Sequence, residues 1–76
     1  MMQDLLLYIA RSLVNDPDQV KVEVVENENS ITLVLSVAEE DMGKVIGKEG
    51  RIAKAIRTII KSTSRNESKP VYVEIA

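Results

Sequence analysis

The stretch Val45-Ile46-Gly47-Lys48-Glu49-Gly50-Arg51-Ile52-Ala53-Lys54-Ala55-Ile56 constrains the fold more than any other part of the chain. An apolar pair runs into a four-residue turn bounded by glycines, and the turn opens directly into an amphipathic helix. Gly47 and Gly50 lack Cβ, so the turn can take φ > 0 or let a second backbone come close. Two glycines three apart are compatible with a plain bend between helices. Three features point further. Lys48 and Arg51 each follow a glycine, the next helix has a cationic outer face, and Val45-Ile46 lay an apolar floor beside the turn. The opening amides of that helix lack intrahelical acceptors and carry partial positive charge, which suits phosphate. The loop is built to hold a sugar–phosphate backbone rather than to break bonds. Nucleotide-binding loops fit worse. A P-loop needs Lys-Ser or Lys-Thr after its last glycine, where this chain has Arg51-Ile52, and the spacing of Gly43, Gly47 and Gly50 is not that of the dinucleotide fingerprint.

The distribution of charge supports the same partner. The chain of 76 residues has a formal charge of −2, which by itself argues against nucleic acid. From Lys44 to Arg65, however, seven basic residues face the single acid Glu49, a local +6. The remainder has three basic and eleven acidic residues, a local −8. One third of the molecule is a cation on an acidic body, the footprint of an electrostatic contact surface. The length allows one domain with one small core, spanning residues 1–76. Cysteine and histidine are both absent, which removes disulfides, thiolate metal sites and the commonest general base. Without them a hydrolase or transferase would rely on carboxylates or lysine alone, and no such pair stands out. The expectation is a non-enzyme with no catalytic residues, no metal, no cofactor and no small-molecule substrate. Leu5 to Ala10 is too short to cross a membrane and lacks a signal peptide's basic flank, so a soluble cytoplasmic domain is expected.

Taken in order, residues 2–14 predict a helix with Met2, Leu5, Leu6, Ile9 and Leu13 on one face, widened by Leu7, Ala10 and Val14. Asn15-Asp16-Pro17 ends it. Residues 20–24 alternate with Val20, Val22 and Val24 inward, and residues 31–37 with Ile31, Leu33, Leu35 and Val37 inward, which predicts an antiparallel hairpin. Glu39-Glu40-Asp41 ahead of an apolar run reads as a helix start favoured by capping and dipole; a divalent-metal site is the less favoured alternative. The long helix spans roughly residues 51–63, with Ile52, Ala53, Ala55, Ile56, Ile59 and Ile60 on its apolar arc. Lys54, Arg57, Thr58 and Lys61 lie on the opposite arc, with Arg51 at its margin. A third strand closes the chain with Val71, Val73 and Ile75 inward. The fold class is therefore α+β, ordered α-β-β-α-α-β, with a three-stranded sheet covered on one face by three helices.

Val45-Ile46-Gly47-Lys48-Glu49-Gly50-Arg51 followed by Ile52, Ile56 and Ile60 resembles the KH domain, and the element order is similar to its type II arrangement. The Asp41-x-Gly43-x-Val45-Ile46-Gly47 lead-in, Ala55-Ile56-Arg57-Thr58 and the length resemble the small bacterial single-KH proteins of the KhpA family. The resemblance covers essentially the whole chain. It implies that Gly47, Lys48, Glu49 and Gly50 clamp four backbone nucleotides. By the same carry-over, Ile46 with Ile52 or Ala53 lines the groove floor, and Arg51 and Lys54 meet phosphates. Glu49 places a carboxylate in the clamp, a small weakening beside Lys48 and solvent. The family further implies an RNA-chaperone role, homodimers, a KhpB (Jag-type) RNA-binding partner, and links to cell-wall homeostasis and cell-length control.

Tyr8 and Tyr72 are the only aromatic residues, too few for a base-stacking platform. Binding of single-stranded RNA would combine backbone contacts in the turn with base edges in a narrow apolar groove. One such module binds weakly and gains from a second copy or partner. Ala55 and Ile59, at one edge of the apolar arc, are either core or a self-association surface. The alternative function is a protein-interaction adaptor with a KH-like fold and little affinity for RNA.

Overall fold

The computed structural model describes residues 2–76. Helix α1 covers Met2–Leu13, strands β1 and β2 cover Lys21–Glu26 and Ile31–Ser36, and helices α2 and α3 cover Met42–Ile46 and Arg51–Thr63. Strand β3, Val71–Ile75, ends the fold. The expected order α-β-β-α-α-β holds, with three short 3₁₀ turns at Pro17–Gln19, Glu39–Asp41 and Lys48–Gly50.

The sheet order is β1-β2-β3, so β2 is central. Strand β1 pairs with it antiparallel, with Val22 opposite Leu35 and Val24 opposite Leu33. Strand β3 pairs with it parallel, with Leu33 opposite Val73. Ile31 N–H donates to Pro70 O at 2.9 Å and Ala76 N–H to Leu35 O at 2.9 Å, which extends the ladder at both ends. A parallel return demands a crossover, and α2 and α3 supply it. Lys69 Nζ reaches back to Glu26 Oε2 at 2.7 Å and Asn27 O at 2.8 Å, tying the α3–β3 connection to the hairpin tip.

The core lies between the sheet and the helical layer. Leu6, Leu33, Leu35, Val45, Ile56 and Ile60 are fully buried there, and each contributes about 1.5–3 kcal/mol by leaving water. Two expected inward positions are not in it. Val24 is 44% exposed, whereas Val20 is buried and Val22 half-buried. Burial fades along β1 because it is an edge strand and the helical layer does not reach the hairpin tip. At the end of α1, Val14 rather than Leu13 packs against the core.

The acidic triplet also departs from expectation. Glu39–Asp41 does form a 3₁₀ turn leading into α2, but no side chain caps α2. Asp41 turns inward instead. Its carboxylate accepts the backbone N–H of Asn15 at 3.2 Å and of Asp16 at 3.0 Å. Glu39 and Glu40 stay exposed, and among the described residues no group of three or more His, Cys, Asp or Glu is placed to hold a metal ion. Among the same residues no helix is long and apolar enough to cross a membrane.

Candidate nucleic-acid interface

The turn between α2 and α3 has the backbone that its glycines allow. Gly47 sits at φ 77°, ψ 175° and Gly50 at φ 72°, ψ 17°. Glu49, with φ 57° and ψ 27°, is the one non-glycine residue at positive φ among those described. That left-handed conformation costs a side-chain-bearing residue about 1–2 kcal/mol. Gly50 N–H donates to Gly47 O at 3.2 Å and Arg51 N–H to Lys48 O, closing the turn on itself. The N–H groups of Gly47, Gly50 and Arg51 are thus taken up by backbone carbonyls, which leaves the positive charge of the turn to its side chains.

The turn carries two cations and one acid. Lys48 is exposed. Arg51 Nη2 lies 3.3 Å from Glu49 Oε1, and both side chains are largely in solvent. Ile46 is exposed, Ile52 half-buried against Gly47, and Ala53 buried. The turn therefore adjoins the apolar side chain of Ile52.

From the turn, α3 carries a cationic row away along one side. Lys54, Arg57 and Lys61 recur at i, i+3 and i+7 and are all exposed. Arg57 Nε donates to Val73 O at 3.2 Å, which fixes this side of α3 against the free edge of β3. Between them lies a trough of about 490 Å³, lined by Arg57, Lys61, Arg65, Lys69 and Tyr72 among others. Tyr72 projects from the strand, 57% exposed. The buried row of α3, Ala53, Ile56 and Ile60, separates this side from Ala55 and Ile59 on the other. Ile59 is 43% exposed, so it is not core.

Sequence reasoning located the turn and missed the trough. Arg57 and Lys61 were recognisable as basic, but only the parallel pairing of β3 brings Lys69 and Tyr72 opposite them. The proline that opens the third strand was the available signal, and it says nothing about strand order.

A short and a long helix meeting at a Gly-x-x-Gly turn inside a β-α-α-β crossover, with a helix and strand before it, define a KH domain of the type II arrangement. The family model described as "KhpA/KhpB, KH domain" matches residues 3–75. The chain belongs to that family. It is 62% identical over 74 residues to RNA-binding protein KhpA of Clostridium acetobutylicum, covering 97% of this chain and 99% of that protein. The KhpA of Chlamydia trachomatis is 43% identical, with 97% and 95% covered. Among solved structures, Aquifex aeolicus Era bound to GDP and aluminium fluoride superposes with a TM-score of 0.65 at 22% identity. The match covers 97% of this chain and 29% of that one. Era in complex with MgGDPNP and nucleotides 1506–1542 of 16S ribosomal RNA gives the same TM-score and identity. At that identity the likeness speaks for the fold.

Proposed function

We propose that this protein binds single-stranded RNA without catalysis, clamping the sugar–phosphate backbone at Gly47, Lys48, Glu49 and Gly50. Arg51 and Lys54 meet phosphates, and Ile46, Ile52 and Ala53 form the apolar floor beneath the bases. The observation that carries this reading is the unbroken line from the turn through Lys54, Arg57 and Lys61 into the trough against β3. The named function of the KhpA relatives supports it. The trough extends the surface beyond the turn, so bases leaving the clamp would pass along α3 towards Tyr72.

A single small module gives few phosphate contacts, so we extend the proposal to a pair. Ala55 and Ile59 form an exposed apolar strip on α3, about 150° around the helix from the cationic row at 100° per residue. A second copy, or a KhpB-type partner, seated on that strip would leave both RNA surfaces open. An RNA-chaperone role in the cytoplasm, with a contribution to cell-wall homeostasis and cell length, belongs to this reading through the family alone.

The Glu49–Arg51 ion pair favours a second reading, a protein-interaction adaptor with little RNA affinity, because it occupies a clamp cation with an internal acid. Fluorescence polarisation of a short labelled single-stranded RNA separates the two. Wild type should bind in a salt-dependent way, with log K falling by about 0.7 per phosphate contact per decade of salt. Gly47→Asp with Gly50→Asp should abolish that binding. Equal or equally absent binding by both proteins would remove RNA as the ligand of the clamp.

A further inference from the structure

Among the described residues, Asp41 is the one charged side chain that the fold buries completely, at 0% exposure. Its two oxygens accept the N–H groups of Asn15 and Asp16, in the connection between α1 and β1. Lys44 Nζ lies 3.8 Å from Oδ1, one turn further along α2. A buried carboxylate with two backbone donors and a nearby cation is a satisfied group, and satisfied buried groups hold their surroundings in one arrangement.

What it holds is α2. That helix has five residues, far fewer than a helix needs to persist in water. Its direction is therefore set by its attachments. Val45 anchors it to the core, Gly47 presses on Ile52 at its end, and Asp41 ties its start to residues 15 and 16. Gly47 N–H in turn donates to Gly43 O at 2.8 Å and Gly50 N–H to Gly47 O. A tilt of α2 about its first residue thus displaces the first glycine of the turn.

We propose that Asp41 is a positioning residue for the RNA clamp, holding α2 at the angle that keeps Gly47–Gly50 in binding geometry. The inference rests on the RNA-binding reading, because only that reading gives the turn a geometry to lose. If untying α2 leaves the clamp competent a tenth of the time, apparent affinity falls about tenfold, since affinity scales with the competent fraction.

Native-state hydrogen exchange on the wild-type protein is the first test and needs no RNA. The amides of Asn15, Asp16, Gly47 and Gly50 should open in one event, with a common dependence on denaturant, below the global unfolding that exposes Leu33 and Leu35. Independent opening of the two pairs would overturn the proposal. Asp41→Asn keeps the shape of the side chain but turns an amide donor towards a backbone donor. Asp41→Ser supplies a helix cap for α2 yet is too short to reach the loop. Both should keep the wild-type circular dichroism well below melting, exchange faster at Gly47 and Gly50 but not at Leu33 and Leu35, and bind the labelled RNA about tenfold more weakly. Wild-type affinity in either folded variant would mean that Asp41 is structural only. Failure of the wild type to bind RNA would sink the RNA reading and the positioning role with it, while exchange would still show whether the tie exists.

Discussion

A methyl group added at Gly47 would lie 2.6 Å from Ile52 Cγ1 and 2.9 Å from Ile52 Cβ. Gly50 has open space around it, and Gly43 has both open space and no positive φ. The three glycines near the clamp therefore differ in why they are glycine. Gly47→Ala combines backbone strain of about 1–3 kcal/mol with an overpacking cost of similar size. Gly50→Ala carries only the left-handed penalty of about 1–2 kcal/mol. Gly43→Ala should raise stability by about 0.5–1 kcal/mol, because it removes glycine's excess unfolded entropy from a helix. Urea unfolding should rank them Gly43→Ala, wild type, Gly50→Ala, Gly47→Ala from most to least stable. A Gly47→Ala protein as stable as Gly50→Ala would contradict the close packing on Ile52. At Glu49 the expected gain is in binding. Glu49→Gln releases Arg51 for phosphate, so RNA affinity should rise and the salt slope should steepen by about 0.7, one contact on a single strand. An unchanged slope would show that the Glu49 carboxylate does not keep Arg51 from the backbone.

Helix α3 shows how far an element can be read before its neighbours are known. Its limits follow from the glycine before it and the polar run after it, and Arg51–Thr63 matches that reading. The buried row Ala53, Ile56 and Ile60 lies within the expected apolar arc but towards its cationic edge, because period places the arc and not which side of it is covered. The margins are not legible, since whether Ile59 is covered depends on where α1 and the sheet end. For the same reason Val24 and Leu13 have inward angles yet large exposed surfaces. Asp41 was hidden for a different cause. Its partners lie 25 and 26 residues away, and backbone N–H groups leave no mark in a sequence. The exposed margin yields an expected outcome at this scale. If Ala55 and Ile59 seat a second copy, the wild type should sediment as a dimer and Ile59→Asp as a folded, helical monomer; a folded Ile59→Asp protein that sediments like the wild type would remove the strip as the contact surface. RNA binding per protomer should survive the change, because the strip and the cationic row lie on different sides of α3.

At the scale of the molecule, charge and topology are arranged around the same segment. The cationic third of the chain is the crossover between β2 and β3, and the acidic remainder forms the hairpin, the first helix and the loops around them. A polyanion approaching this surface is drawn to the crossover and repelled elsewhere, which orients the encounter before any contact forms. Salt weakens that steering together with the affinity.

The parallel placement of β3 against β2 carries a consequence in time. The turn is made by residue 50, but the strand that lines the trough, accepts Arg57 at Val73 O and completes the sheet is residues 71–75. During synthesis the cationic segment leaves the ribosome tunnel before the strand that gives it a shape. Until β3 docks on β2, Arg57 lacks the Val73 carbonyl and the trough lacks one of its walls. A specific surface exists only once residues 71–75 have paired with β2, so the segment that supplies the charge is shaped by a strand made after it.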